Sequence, residues 1–250
     1  ELIARLVGSE MCIRDSFRTM RFLQFLIIIL LIGCSFNNER SVKDHSMYWH
    51  KNSAEYKALC LQAYNIAKKK LELELSKEYE KPLAIIADLD ETIFDNTPYN
   101  EMLISENKSY NQENWSEWVN KEIATAVPGS LDFFDYAKSL GVEIIYLSNR
   151  RVENYEATKS NLIKLGFPFD ESTVMLLRDE TRDKLKRRSS IKDYEVIMLI
   201  GDNLGDFDSA FFGKTNKERW DVSVSLKDNF GEKFILLPNL IYGDWEIGFE

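Results

Sequence analysis

Residues 83–92, LAIIADLDET, join a short apolar run to a cluster of acidic and hydroxyl side chains. The apolar part, Leu83 to Ala87, suits a strand of a parallel sheet that is buried on both faces. Similar apolar runs follow at residues 142–147, 174–177 and 196–200. We predict that these four runs are parallel strands of one central sheet.

Helical patterns alternate with these strands. They cover residues 130–140, which end before Gly141, residues 153–165, which end before Gly166, and residues 183–192. Strands that alternate with helices indicate an α/β fold, a doubly wound parallel sheet in a three-layer α/β/α sandwich. Residues 234–236 form a candidate fifth strand.

Two further helical regions are predicted outside this alternation. Residues 47–78 have apolar side chains at helical spacing, with Ser53 as the cap of an inner helix start or, alternatively, a break near residues 68–70. Residues 96–127 are polar and aromatic, and we interpret them as a small helical cap. The folded α/β domain would then span residues 47–250.

Polar side chains follow the ends of the predicted strands, where ligands bind in doubly wound sheets. Crowded carboxylates repel one another unless a cation offsets their charge. Because no Cys or His accompanies them, the oxygen ligands favour Mg²⁺. The converging residues are Asp88, Asp90 and Thr92 after the first strand, Ser148 and Asn149 after the second, Lys184 at the next helix, and Asp202 and Asp206 after the fourth.

This set of groups suits phosphoryl transfer. A carboxylate attacks phosphorus once a cation screens the phosphate charge, which gives an aspartyl-phosphate. A second aspartate two residues further on can protonate the leaving oxygen and later deprotonate the attacking water.

The motifs D-x-D-x-T at Asp88, Ser148, Lys184 and G-D-x-x-x-D at Gly201 resemble those of the haloacid dehalogenase (HAD) superfamily. Together with the Trp115/Trp118 pair, residues 126–129 and residues 242–246, they are similar to the class C acid phosphatases of the outer-membrane lipoprotein e type. The resemblance runs from about residue 48 to the C-terminus.

The resemblance implies a role for each matching residue. Asp88 would be the nucleophile and a metal ligand, and Asp90 the general acid/base that gives its backbone carbonyl to the metal. Asp202 and Asp206 would complete the metal site. Thr92, Ser148, Asn149 and Lys184 would hold the phosphate, with Arg182, Lys186 and Arg187 as neighbouring alternatives to Lys184.

The resemblance also implies a substrate class. Trp115 and Tyr242 match positions where aromatic rings stack on a nucleobase or nicotinamide ring, whereas Trp118 fits better in the core of the cap. Asn96 and Arg150 are candidate pocket-lining groups. The implied substrates are 5′-nucleotides, nicotinamide mononucleotide and aryl phosphates, and family members often form homodimers.

The N-terminal sequence predicts export of the protein to the cell envelope. Residues 20–33 have a basic start and an apolar run typical of a signal peptide, and residues 31–34 (LIGC) resemble a lipobox with Cys34 as the lipidated residue. Residues 34–46 would be a tether, and Ser35 favours an outer-membrane lipoprotein. Residues 1–19 fit an upstream translation or sequencing artefact.

Composition excludes other classes of protein. The formal net charge of −9 argues against general nucleic-acid binding, although a small phosphorylated substrate remains compatible with it. Both histidines precede the acidic motifs, which argues against histidine-based catalysis, and the three cysteines show no metal or disulfide pattern.

Three alternative functions remain open from the sequence. A dehalogenase of the same fold would lack the second motif aspartate, so Asp90 argues against it. A phosphotransferase would share every residue of the site. A non-catalytic surface lipoprotein is disfavoured by the intact set of motifs.

Overall fold

The computed structural model describes residues 37–248, with side chains from residue 44 onward. The predicted signal peptide, Cys34 and residues 1–19 lie outside the described residues. The chain divides into two compact units, Glu1–Ser46 and Met47–Glu250. The described part of the first unit, residues 37–46, is helical.

The described residues form seven strands and eight α-helices. The strands are β1 (Leu83–Ala87), β2 (Phe94–Asp95), β3 (Thr125–Ala126), β4 (Glu143–Arg151), β5 (Met175–Arg178), β6 (Glu195–Gly201) and β7 (Phe234–Leu236). The helices are α1 (Asn37–Asn52), α2 (Ala54–Glu74), α3 (Thr97–Ser105), α4 (Gln112–Lys121), α5 (Ser130–Ser139), α6 (Tyr155–Leu165), α7 (Leu185–Ser189) and α8 (Asn216–Ser225). Among residues 37–248, no helix is both long and apolar enough to cross a membrane.

The central sheet has five parallel strands in the order β5-β4-β1-β6-β7. Strand β1 lies in the middle, which explains why nearly all of its residues are apolar and buried. The predicted doubly wound α/β fold is therefore confirmed, including the fifth strand at residues 234–236.

Apolar side chains on the two faces of the sheet form two separate cores. Ile85 and Ala87 of β1 belong to one core, which includes Tyr64 of α2 and Phe134 of α5. Ala84 and Ile86 point the opposite way into a second core with Phe207 and Phe234. This alternation along one strand follows from the two-residue period of β structure. Packing on both faces holds β1 in place between the two cores.

The region predicted as one helix over residues 47–78 contains a break. Helix α1 ends at Asn52 and α2 begins at Ala54, because the Ser53 hydroxyl accepts a hydrogen bond from the backbone N–H of Tyr56 at 3.0 Å. The Ser53 cap is confirmed, and the alternative break near residues 68–70 is wrong.

Two predicted elements differ in length from those observed. Strand β4 continues to Arg151, past the predicted end at residue 147, so Ser148 and Asn149 lie on the strand itself. The helix predicted over residues 183–192 is only α7, Leu185–Ser189, and Lys184 is its N-terminal cap residue. Three of the five α7 residues are basic, so the segment carries no apolar face that would extend the helix.

The predicted cap contains helices α3 and α4 between the short antiparallel strands β2 and β3. Asn111 caps α4 by accepting a hydrogen bond from the backbone N–H of Asn114 at 2.9 Å. Strands β2 and β3 pair through Phe94 with Ala126 and Asp95 with Thr125. The insertion therefore starts and finishes at the same small sheet, next to the carboxyl end of β1.

Candidate active site

A cavity of about 760 Å³ lies at the carboxyl end of the central sheet. Residues from both the sheet and the cap line it, which matches the position of ligand sites in doubly wound sheets. The residues singled out in the sequence that line the cavity are Asp88, Asp90, Trp115, Ser148, Asn149, Arg150, Arg182, Lys184, Asp202, Asp206 and Tyr242.

Three carboxylates in the cavity are close enough to share one cation. One oxygen each from Asp88, Asp202 and Asp206 lies within 4.8 Å of the others. Asp88 reaches this point because its backbone N–H donates to the carbonyl of Ile200 on the neighbouring strand β6, at 2.9 Å. The two strand ends therefore place Asp88 and Asp202 side by side.

Burial and mutual repulsion destabilise the charged forms of Asp88 and Asp202, which raises their pKa values. Burial raises the pKa of Asp88 to about 7, against the opposing effect of Lys184. Burial, followed by the charges of Asp206 and Asp88, raises the pKa of Asp202 well above its usual range. Oxygen-only ligands with this excess of negative charge fit a hard divalent cation.

Lys184 is the cation that the chain itself supplies to these acids. Its Nζ atom lies 2.6 Å from Oδ1 of Asp88 and 2.7 Å from Oδ1 of Asp206, and the side chain is buried. Burial alone would lower the pKa of Lys184, but Asp206 and Asp88 outweigh it and raise that pKa. A buried ammonium beside the nucleophile suits the binding of phosphate oxygens.

Asp90 is oriented by a buried arginine. Nε of Arg150 donates to Oδ1 and Oδ2 of Asp90 at 3.0 and 3.2 Å, and Nη2 donates to Oδ1 at 2.7 Å. Asn96 adds a hydrogen bond to Oδ1 at 3.0 Å, and the guanidinium stacks over Phe94. These contacts hold the Asp90 carboxylate away from the acidic triad. The contact between the Asp90 backbone carbonyl and a metal ion stays a prediction.

The turn that separates Asp88 and Asp90 from the cap is tight and strained. Glu91 has a φ of 54°, a left-handed conformation that is uncommon for a residue with a side chain. Its backbone N–H donates to the carbonyl of Phe94 at 2.8 Å, and its buried carboxyl accepts from the Asn96 backbone N–H at 3.0 Å. Burial raises the pKa of Glu91 well above its usual range.

Thr92 lies behind the cavity instead of lining it. Its hydroxyl is buried and donates to Oδ1 of Asp202 at 3.3 Å, while Asn239 donates to Oδ2 at 2.8 Å. Both oxygens of Asp202 are therefore held in place. This position favours a role for Thr92 in the orientation of Asp202, and the phosphate contact that the resemblance implied for Thr92 stays a prediction.

Ser148 and Asn149 line the cavity from the end of β4. The Ser148 hydroxyl accepts a hydrogen bond from the Arg150 backbone N–H at 3.1 Å. The Asn149 side-chain carbonyl accepts from Nη2 of Arg187 at 2.7 Å. Arg187, one of the alternatives to Lys184, thus binds Asn149 of β4 and does not line the cavity.

Aromatic residues from the cap and the C-terminal segment form another part of the cavity wall. Trp115 of α4 and Tyr242 line it together with Tyr99 and Tyr110. Trp118 does not line the cavity and donates through Nε1 to Asn96 at 2.9 Å, which confirms its predicted place in the cap core. Trp115 and Tyr242 remain candidates for contact with a ring.

Sequence reasoning missed or underrated three residues of the site. Arg150 follows Ser148 and Asn149 directly, and this position at a strand end was the available signal for it. Asn239 and Arg178 come from distant segments with no motif, so only the fold brings them to the site.

Comparison with solved structures gives a strong match. The chain is similar to "The structure of the Class C acid phosphatase from Bacillus anthracis", with 41% sequence identity and a TM-score of 0.78 over 82% of this chain and 86% of that chain. A second structure of the same Bacillus anthracis protein, with tungstate bound, matches with 40% identity, a TM-score of 0.77 and the same coverage.

Comparison with sequences identifies a family and more distant relatives. The model of the family "HAD superfamily, subfamily IIIB (Acid phosphatase)" matches residues 35–245. A stem 31 kDa glycoprotein of Glycine max is 32% identical over 130 residues, which is 48% of this chain and 50% of that protein. The chain therefore spans about half the length of this curated relative.

Proposed function

The chain belongs to HAD superfamily subfamily IIIB, the acid phosphatases, and from this membership we propose that it hydrolyses phosphate monoesters with Asp88 as the nucleophile. The family predicted from the sequence is confirmed. The observation that carries the proposal is the position of the partly buried Asp88 carboxylate, which lies 2.6 Å from Lys184 and shares a cavity with the general acid candidate Asp90.

In the proposed reaction, an oxygen of Asp88 attacks phosphorus and the bond to the ester oxygen breaks. Asp90 donates a proton to that departing oxygen, and the alcohol leaves. Asp90 then takes a proton from water as the water attacks the aspartyl-phosphate, which releases phosphate and restores Asp88. Arg150 keeps Asp90 pointed toward the substrate during both steps.

The residues that would hold a Mg²⁺ ion are Asp88, Asp202 and Asp206, with the backbone carbonyl of Asp90. Their mutual distance of at most 4.8 Å for the three carboxylates supports a shared cation. A bound Mg²⁺ would neutralise charge on the phosphoryl group and orient it for in-line attack. Lys184 and Ser148 would bind the remaining phosphate oxygens.

The proposed substrates carry an aromatic ring beyond the phosphate. Trp115 and Tyr242 both line the cavity, and a stacked ring contributes roughly 1–3 kcal/mol in comparable sites. Because stacking tolerates many rings, we expect turnover of 5′-nucleotides, nicotinamide mononucleotide and aryl phosphates.

The test of the nucleophile is the variant Asp88→Asn. We expect a fall in p-nitrophenyl phosphate turnover of at least about a thousandfold, because the amide cannot form the covalent intermediate. Asp228→Asn, at an exposed aspartate outside the cavity, is the matched control. Retained turnover in a folded Asp88→Asn protein would overturn the assignment.

The test of the metal uses activity and stability together. Chelation should abolish turnover and lower the melting temperature, since a ligand that binds only the folded state stabilises it. Added Mg²⁺ should restore both. Recovery with Zn²⁺ alone would contradict the proposed oxygen-ligand site.

The proposed location is the outer membrane, with a lipid on Cys34 as the anchor. It is supported by the sequence pattern at residues 20–35 alone. Labelling with a radioactive fatty acid in cells, with Cys34→Ser as the control, tests the anchor. A homodimer is the expected assembly, and light scattering coupled to size-exclusion chromatography measures it.

A further inference from the structure

We propose that Arg178 forms a subsite for a second anionic group of the substrate, separate from the phosphate that is cleaved. This inference rests on the proposed function and specifies its substrate class. The preferred substrates would be aromatic phosphate monoesters that carry an additional phosphate or carboxylate.

Arg178 differs from the other cations that line the cavity. Lys184 is paired with Asp88 and Asp206, Arg150 with Asp90, and Arg182 with Asp244 at 3.4 Å. Within the described residues Arg178 makes no ion pair, and its side-chain hydrogen bond goes to the neutral amide oxygen of Gln112 at 3.2 Å. It is therefore the cavity cation whose charge the protein leaves without a partner.

The position of Arg178 suits a binding group. It is the last residue of β5, at the carboxyl end of the sheet, and it is partly buried. Burial, reinforced by the positive charges of Arg151 and Arg182, lowers the pKa of Arg178, although a guanidinium remains charged at neutral pH. A local excess of positive charge inside an acidic protein attracts anions to this end of the cavity.

Gln112 relates this cation to the ring-binding wall. Gln112 and Trp115 are three residues apart on α4, so they lie on the same face of the helix. A ring against Trp115 would therefore have its neighbouring substituents within about one helical turn of the Arg178 guanidinium. The planar guanidinium matches both phosphate and carboxylate groups, which defines the substrate class.

The experiment measures how much a second anion adds to binding and to turnover. Binding is measured by titration calorimetry with the unreactive pair benzylphosphonate and 4-carboxybenzylphosphonate. Turnover is measured with the pair 5′-AMP and adenosine 3′,5′-bisphosphate, with the product identified. The phosphonate pair tests a carboxylate as the second anion, and the nucleotide pair tests a phosphate. The ratio of the two values within each pair cancels effects that are common to both ligands.

Two variants remove the proposed contact in different ways. Arg178→Gln deletes the charge, whereas Gln112→Glu keeps Arg178 and places a carboxylate against its guanidinium. Both should reduce the preference for the doubly anionic ligand about five- to tenfold, the range of a charge-assisted hydrogen bond that is partly exposed. Arg178→Lys should retain part of the preference, and 1 M salt should weaken it in the native protein.

Lys217→Gln is the matched control, because Lys217 is an exposed cation that does not line the cavity. Its preference should equal that of the native protein. An equal preference in the native and Arg178→Gln proteins would overturn the subsite. Calorimetry measures binding without turnover. A protein that binds the phosphonates but does not hydrolyse esters would therefore contradict the proposed function, and its binding preference would still show whether the Arg178 subsite exists.

Discussion

Arg150 shows how one buried side chain controls the geometry of a candidate acid. Its side chain is 1% exposed, and three of its hydrogen bonds go to Asp90. Removal of one member of a buried ion pair leaves the other charge unpaired, which is more costly than the pair itself is stabilising.

We predict that Arg150→Met lowers the free energy of unfolding by about 3 kcal/mol, the lower end for a broken buried pair. It should also lower kcat, because Asp90 loses the group that orients it. Urea unfolding measures the first effect, with Arg151→Met, at the neighbouring and only partly buried residue, as the control. A loss no greater than that of the control would contradict the argument.

Individual site residues were predictable where a motif places them at a strand end. Asp88, Asp90 and Asp202 follow apolar runs that are recognisable in one sequence. The contact between Thr92 and Asp202 was not predicted, because sequence spacing does not show which way a side chain turns. Asn239 was unpredictable, since its contact with Asp202 joins residues 37 positions apart in the chain.

The end of strand β6 depends on a residue without a side chain. A Cβ atom on Gly201 would lie 2.4 Å from Oδ2 and 2.6 Å from Cβ of Asp206. Asp206 must occupy this space to reach Lys184 and to accept from the Asn203 backbone N–H at 2.9 Å. The glycine of the G-D-x-x-x-D motif is thus explained by packing within its own turn.

We predict that Gly201→Ala displaces Asp206, lowers the free energy of unfolding by about 2 kcal/mol through overpacking, and weakens binding at the proposed Mg²⁺ site. The control is Gly205→Ala in the same turn, where the nearest atom to a new Cβ is 3.6 Å away. Chemical denaturation and metal titration measure the two effects. Equal stability of the two variants would show that the turn absorbs the clash.

Element types were easier to predict than element ends. The ends of β1 and β6 can be read from the sequence, because Asp88 and Asp202 follow these strands directly. Strand β4 continues through Ser148, Asn149 and Arg150 since pairing with β5 resumes at Arg151 after an irregular register. Helix α8 was missed because its polar sequence has a single buried residue, Arg219, and no apolar periodicity.

Across the whole molecule, a buried histidine connects the N-terminal and C-terminal segments. The His50 ring is buried, lies against Tyr56, and accepts through Nε2 from the Leu240 backbone N–H at 3.4 Å. Leu240 belongs to the segment that carries Asn239 and Tyr242 to the cavity. Burial lowers the pKa of His50 to about 4, against an opposing effect of Asp95.

We predict an acid-sensitive stability from this histidine. Between pH 6.5 and pH 4 the unfolded chain binds a proton at His50 that the folded chain does not, so the free energy of unfolding falls as the pH falls. The loss approaches about 3 kcal/mol at the acid end. Urea unfolding at pH 7 and pH 4.5 should show a smaller difference in His50→Gln than in the native protein, while the exposed His45→Gln control behaves like the native protein. A native-like pH difference in His50→Gln would refute the assignment.

The small sheet formed by β2 and β3 separates the cap, which carries the proposed ring-binding residues, from the central sheet, which carries the acids. Everything inserted between these strands enters and leaves at adjacent residues, so its length and sequence can vary without shifting the register of the central strands. The proposed recognition of a substrate ring by Trp115 of α4 could therefore diverge between relatives while the acids on the sheet stay fixed. A chimera that exchanges residues 97–124 for those of another relative, and so keeps Asn96 with Asp90, should inherit the donor's substrate selectivity and keep the host's chemistry.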